Sequence, residues 1–404
     1  MLSFDSAREK VLSSLKTLPS VTLSIKEVHA GMVLREDVKA KEDVPHFRRS
    51  AVDGYAVSAE DTRGASSENP VRLLIKGHVF PGEFIKKKIE RNCAYLISTG
   101  APVPDELDGV VMVEHTEREG DYVKIYKEVK SGENVAPRGE DIKRGEVVFK
   151  KGRILFPPDI GMLSRLGKKL VKVSKLPVVS IISTGNEIVE PWERKGKWQL
   201  YDANYFILSS AVRALGCIPV FAGRAGDRKG DLRKCFKKGL KGDIIIFTGG
   251  ISMGEPDLVR EVLRENSVRE IFWKVAIQPG KPVFFGLLGN KKPVFGLPGN
   301  PVSAFITFVL FVKPALYKMM GADLKELELI AHLDSEVKGK EDRTVFLRGN
   351  FYYKNGKLFV HPLPFQGSGI LKSLTDSNCI IVLKEGISSF PEGAEVRIIP
   401  FRVC

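Results

Sequence analysis

Hydrophobic positions change rhythm along the chain, and each change predicts a different kind of structure. Over residues 3–17, Phe4, Ala7, Val11, Leu12 and Leu15 recur at spacings of three and four, which predicts a helix facing its own core or a partner subunit. From Thr22 to Val44 the pattern is irregular and strand-like. The same style resumes after Arg138, with Gly145, Gly152 and Gly161 punctuating short segments up to Lys175. Between these stretches VRLLIKG, CAYLIST, GVVMVEH and YVKIYKEV read as short strands separated by Gly, Pro and Asn, a β-rich module inserted in an elongated first domain.

From Leu176 strands and helices alternate. Val178–Ile182 is a buried-type strand, and a helix follows with Phe206, Leu208, Val212 and Leu215 as its apolar face and Gly216 as its stop. Ile218–Ala222 is the next strand. A helix over Leu232–Leu240 then places Leu232, Cys235, Phe236 and Leu240 on one face, and a further helix is expected over Asp257–Arg264 after the apolar run Ile244–Phe247. Such alternation implies parallel pairing with right-handed crossovers in an open α/β sheet. Beyond Gly321 the reading is β again: Phe346–Tyr353, an Asn355-Gly356 turn and Lys357–His361 form a hairpin, and Ile380–Leu383 and Glu395–Pro400 complete a small barrel or sandwich. The expected domains are 1–44 with 140–175, 45–139, 176–321 and 322–404.

Composition narrows the function classes. With 43% apolar and 28% charged residues in 404, the chain has the make-up of a folded protein. A net charge of +14 invites nucleic acid, yet the basic residues are interleaved with 49 acids and no nucleic-acid-binding signature appears, so none is expected. The longest apolar run, Ala304–Val312, is far short of the roughly 20 residues of a membrane helix, so no membrane is expected either. MLSFDSAREK lacks the order of a signal peptide, and five scattered cysteines without CxxC fit reduced thiols, so the expected location is cytoplasmic.

Candidate chemistry gathers where strands end. In DIIIFTGGISMGEPD a buried strand runs into Gly249-Gly250, where bare backbone N–H groups at the carboxyl edge of an α/β sheet can approach a phosphate or a flat ring; Ser252 adds a hydroxyl. Three strands end in small polar residues followed by an acid, namely Glu187, Asp227 and Asp257. These carboxylates either converge on one edge, where Mg²⁺ would balance them, or are loop and capping acids. Lys274 and Lys281 flank a Pro-Gly turn and could meet phosphate or an oxyanion, or simply be solvated. In GLPGNPVS, Asn300 is a natural N-cap and Pro301 a natural first helical residue, a ready anion site. Asp53-Gly54 is a turn signal that either accounts for the aspartate or fixes an exposed carboxylate, and Thr99 is a turn-capping hydroxyl or a ligand contact. Arg348 and the loop Gln366-Gly367-Ser368-Gly369 are the C-terminal candidates.

In order, PHFRRSAVDGYA, STGAPVP, RGEDI, ISTGNE, FTGGISMGEPD, QPGKP and GLPGNPVS resemble the molybdopterin molybdenumtransferase family, related to gephyrin's C-terminal region, from about residue 23 to the carboxyl end. The resemblance implies four domains: an elongated first domain interrupted by a β module, an α/β molybdopterin-binding domain and a C-terminal β-barrel. It implies a homodimer whose cleft is shared between chains, and a molybdopterin adenylyltransferase as upstream partner. The implied reaction is cation-dependent hydrolysis of adenylylated molybdopterin, with molybdate or tungstate passed to the dithiolene and AMP released. On that likeness Asp53, Asp141, Glu187, Asp227 and Asp257 form the acidic side of the cleft, with Glu187, Asp227 and Asp257 as Mg²⁺ ligands. Thr99 contacts ligand, Gly249, Gly250 and Ser252 cradle the pterin phosphate, and Lys274 and Lys281 neutralise phosphate or molybdate. Pro298 and Pro301 shape the pocket, and Arg348 and Ser373 fall near the molybdate. Three positions depart from the family pattern: Arg49 where a polar amide is frequent, Val52 for a methionine, and Gln278 where many relatives have lysine. The last bears on how an oxyanion is held. Rival readings are the adenylyltransferase itself and a non-catalytic scaffold.

Overall fold

The computed structural model describes residues 1–85, 88–250, 258–289, 291–323 and 329–402. Contacts divide the chain into two units, one of Met1–Glu36, Lys151–Gly161 and Lys169–Cys404, the other of Asp37–Lys150 and Met162–Lys168. The irregular segments on either side of the β module thus contribute to both.

At the centre of the larger unit is a six-stranded sheet in the order Ile218–Ala225, Val178–Thr184, Ile244–Thr248, Lys292–Leu297, Phe284–Leu288, Val268–Trp273. The first four strands run parallel, and the last two pair antiparallel at the edge. Ile244, Ile245, Ile246 and Phe247 have no exposure at all, which explains the unbroken apolar run: helices cover both faces of a parallel sheet. Alternation within the run sorts the faces. Ile244 and Ile246 pack with Leu208, Val212, Val302 and Ile306, while Ile245 and Phe247 pack with Leu232, Phe236, Val259 and Val262. Burying each such side chain contributes roughly 1.5–3 kcal/mol.

The helices fall where expected, with two corrections to their apolar faces. In Ala203–Ala214, Leu208 and Val212 are buried but Phe206 is 39% exposed against Trp192. In Lys229–Gly239, Leu232, Cys235 and Phe236 are buried, whereas Leu240 is the C-cap and 39% exposed, beyond the turn that faces the sheet. The first helix, Phe4–Ser14, packs on its own core through Phe4, Ala7 and Val11, and Phe4 meets Phe311 and Phe346 edge-on. The segment Pro301–Met320 has the length and apolarity of a membrane span, but 72% of its apolar window is buried inside this core. A π turn at Phe308–Val312 precedes Pro314, where the ring removes a backbone donor from the ladder.

In the C-terminal part, Leu329–Leu333, Thr344–Lys354, Lys357–Pro362, Cys379–Leu383 and Glu395–Pro400 close into a five-stranded barrel. Asn355 and Gly356 both take positive φ in the two-residue turn the sequence predicts. Ile277–Gln278 adds to this barrel by pairing with Thr344–Val345, tying the Pro-Gly turn to its wall.

The smaller unit is a six-stranded, largely antiparallel sheet in the order Gly109–Met112, Gly54–Val57, Cys93–Ile97, Val71–Val79, Tyr122–Ile125, Thr116–Glu119. Two apolar clusters, around Val111 and Leu73 and around Val110 and Ile97, form its core. Four cysteines are buried and free, and burial pushes the Cys217 and Cys379 thiols up to about 12, which keeps them unreactive.

Candidate functional site

Two cavities open in the larger unit and meet at Asn300, which lines both. The first, about 580 Å³, lies at the carboxyl ends of the parallel strands, where open α/β sheets bind ligands. Gly249 and Gly250 turn the chain there at φ +86° and +65°. A Cβ on either would come within 2.8 Å of the Thr184 hydroxyl, so only glycine lets the backbone line this wall. Thr184 Oγ1 donates to the Thr248 carbonyl (3.2 Å), and the Gly249 N–H donates to the Leu297 carbonyl (3.1 Å), which fixes the turn against both neighbouring strands.

Glu187 and Asp227 line the same cavity and are exposed. Gly185 makes room for Glu187, since a Cβ there would stand 2.5 Å from its Oε2. Asn186 accepts the Asp227 N–H (3.1 Å), joining the two acidic loops. Of the three strand-end acids, these two share one wall; Asp257, like Ser252, lies outside the described residues. Among the described residues no cluster of three His, Cys, Asp or Glu could bind a metal alone. Mg²⁺ commonly takes only one or two carboxylates, with water and substrate phosphate completing its shell, and Glu187 and Asp227 fit that donor set.

Two residues here escaped sequence reasoning. Asp202 is buried, accepts the Ser183 hydroxyl, and caps the helix Ala203–Ala214 by accepting the Tyr205 N–H (2.9 Å). Asn204 donates to Thr248 Oγ1 (2.8 Å) and to the Gly299 carbonyl (2.7 Å), while its own Oδ1 is buried without a partner. The helix-start signal was legible in Asp202; the cross-strand reach of Asn204 has no local signature. Pro298 and Pro301 line the cavity, but Asn300 does not cap with its side chain: Nδ2 donates to Ser368 Oγ (2.9 Å) instead.

The second cavity, about 410 Å³, is lined by Gln278, Lys281, Arg343 and Arg348. Arg348 is completely buried. Its Nε donates to Ser373 Oγ (3.1 Å) and its Nη2 to the Phe365 and Gly367 carbonyls (3.2 Å each). Among the described residues Nη1 has no partner, and no carboxylate pairs with the group. Burial alone pulls its pKa down to about 10, the mark of a cation lacking an anion. Gln366 locks the backbone by accepting the Arg348 N–H (3.0 Å) and donating to its carbonyl (2.9 Å). Ser373 spends its hydroxyl proton on the Ile370 carbonyl, so it positions Arg348. Lys274 joins neither cavity lining; at φ +88° it lays its ammonium 3.9 Å over the Trp273 ring.

The remaining predicted residues belong to the smaller unit. Asp53 is exposed and accepts the Thr99 N–H (2.8 Å), so the turn fixes the carboxylate and Thr99 supports it through its backbone. Asp141 is half-exposed, with Arg165 3.5 Å away.

Comparison with known proteins agrees across the chain. Residues 2–167 match the MoeA N-terminal region (domain I and II), 180–318 a probable molybdopterin binding domain, and 331–401 the MoeA C-terminal region (domain IV). The molybdopterin molybdenumtransferase of Haemophilus influenzae is 35% identical, covering 99% of both chains. That of Staphylococcus aureus is 31% identical over 97% of this chain and 94% of its own. A solved molybdopterin biosynthesis MoeA protein from Pyrococcus horikoshii superposes with a TM-score of 0.83 at 36% identity, covering 100% of both. With a matching sequence, a matching fold and a cavity at the sheet edge, the chain belongs to the MoeA family of molybdopterin molybdenumtransferases.

Proposed function

We propose that this enzyme cleaves adenylylated molybdopterin in the first cavity and passes molybdate or tungstate, received in the second, to the pterin dithiolene with release of AMP. The observation that carries the reading is that an acidic, glycine-walled cavity and a cationic cavity with a buried unpaired arginine adjoin at Asn300. The substrate has both needs: a phosphoanhydride beside an oxyanion acceptor.

Glu187 and Asp227 are the residues that would bind Mg²⁺, which when present supplies charge neutralisation at the phosphoanhydride. The Gly249 and Gly250 backbone accommodates the phosphate close to the sheet, and Asn204 and Asp202 keep that turn and the adjoining helix start in register. In the second cavity, Arg348 Nη1 and Lys281 supply donors to a tetrahedral oxyanion, and Ser373 and Gln366 keep the guanidinium in place. Asp53, Asp141 and Thr99 act in trans in a homodimer, completing the cleft of the partner chain, and a molybdopterin adenylyltransferase supplies the substrate.

The test is AMP release from adenylylated molybdopterin, with Mg²⁺, molybdate and tungstate titrated separately. The reading predicts release that requires the cation and responds to the oxyanions. Accumulation of adenylylated pterin from Mg-ATP and molybdopterin would instead mark an adenylyltransferase. The shared cleft has its own test: a chain carrying Asp53→Asn and one carrying Asp227→Asn, each inactive alone, should recover about a quarter of wild-type activity on random mixing, since half the dimers keep one intact cleft. No recovery in folded mixed dimers would refute sharing.

A further inference from the structure

Arg343, just before the barrel strand Thr344–Lys354, lines the second cavity beside Arg348. The parallel pairing of Ile277–Gln278 with Thr344–Val345 is what brings it next to the turn carrying Gln278 and Lys281. The two guanidinium groups are used alike. Arg348 commits Nε and Nη2 to Ser373 and two carbonyls. Arg343 commits Nε (2.8 Å) and Nη2 to the two carboxylate oxygens of Asp342. Arg348 Nη1 is buried with no partner among the described residues, and Arg343 Nη1 is the corner that the Asp342 carboxylate leaves over.

A bidentate carboxylate fixes the plane of a guanidinium without using its remaining edge. Asp342 is 57% exposed and screened by solvent, whereas Arg343 is 22% exposed, so the neighbour orients the arginine more than it cancels it. No acidic side chain lines the cavity among the described residues, and Gln278 contributes an uncharged amide. Lys281, Arg343 and Arg348 together, set against the one outlying carboxylate, leave a balance of two positive charges.

We propose that Arg343 is a further oxyanion-contacting residue of this cavity and Asp342 its positioning residue, so that the cavity selects a tetrahedral dianion over a monoanion of the same shape. The inference rests on reading the cavity as the oxyanion site. It makes the preference a matter of charge count and of one fixed guanidinium edge.

Calorimetric titration of the full chain with molybdate and with perrhenate, a tetrahedral monoanion, tests it; thermal melting confirms that each variant is folded. Wild type should bind molybdate at least about tenfold more tightly than perrhenate, as an added charge-assisted contact implies. Arg343→Gln should weaken molybdate about tenfold and perrhenate less than about threefold, collapsing the ratio. Asp342→Asn, which keeps the cation but frees it, should shrink the ratio while perrhenate binding holds or tightens. Arg343→Gln behaving as wild type, or weakening both anions equally, overturns the role of Arg343. Asp342→Asn strengthening both anions equally overturns positioning. If wild type binds neither anion, the reading of the cavity fails, and this inference with it.

Discussion

The two cavities solve opposite electrostatic problems. At the sheet edge, Glu187 and Asp227 are exposed, so water solvates both carboxylates and their charge costs the fold little. In the barrel-side cavity Arg348 is completely buried, and the fold bears the desolvation of a charge that no carboxylate among the described residues balances. One side carries its acids on exposed loops; the other is pre-organised by Ser373, Gln366 and two carbonyls. That contrast suits a reaction in which a flexible phosphate chain is cut beside a rigid, symmetric anion.

The strongest way to break the contrast is at the acids. Glu187→Gln and Asp227→Asn should slow AMP release by about 10²–10³-fold, the scale of losing one electrostatic element of a transition-state site, with melting unchanged because both side chains are exposed. Undiminished release would detach the acids from the chemistry. Next, Arg348→Met should weaken molybdate binding by about 2–3 kcal/mol, the worth of a charged hydrogen bond lost, while leaving nucleotide binding intact in calorimetry.

The buried charge also has a signature in pH. The folded pKa of Arg348, about 10, lies below the ordinary value of a guanidinium, so the cost to stability is present in full below pH 10. It is relieved as pH rises above about 10 toward that ordinary value. Urea midpoints of wild type should therefore gain on those of Arg348→Met over that window, and parallel curves would mean the cation is not strained.

Smaller effects sharpen the boundary. Gly250→Ala puts a Cβ at φ +65°, 2.7 Å from Val259 Cγ2, and should cost about 1–3 kcal/mol of stability in denaturant titration. Asn300→Ala removes only the bond to Ser368, worth about 1 kcal/mol, and should raise KM for the pterin and for molybdate by a few fold together, as its place on both walls requires.

Much of the first cavity was legible because it is built from local signals. An unbroken apolar run, adjacent glycines and an acid after each strand all come from consecutive residues, and parallel topology brings their ends to one edge. The second cavity was less so. The likeness to known chains pointed to Arg348 and Ser373, yet their burial and the unpartnered Nη1 depend on barrel closure. Arg343 sits in an acidic and basic turn that reads as ordinary surface, and only the pairing of Gln278 with Val345 makes it a wall. Lys274 shows the complementary gap: spacing places it seven residues from Lys281, while its positive φ and its ammonium over the Trp273 ring are visible only in the structure. Phe206 and Leu240 were assigned to buried faces by a period that ignores where each helix leaves its sheet.

The central claim is that the two cavities divide one reaction between them, and a double dissociation tests it most directly. AMP release, AMP binding and molybdate affinity should be measured on the same preparations of wild type, Glu187→Gln and Arg348→Met. The account predicts that Glu187→Gln loses AMP release and binds molybdate as wild type does, while Arg348→Met loses molybdate binding and still binds AMP. Loss of molybdate binding in folded Glu187→Gln, loss of AMP binding in folded Arg348→Met, or wild-type behaviour of either variant would contradict it.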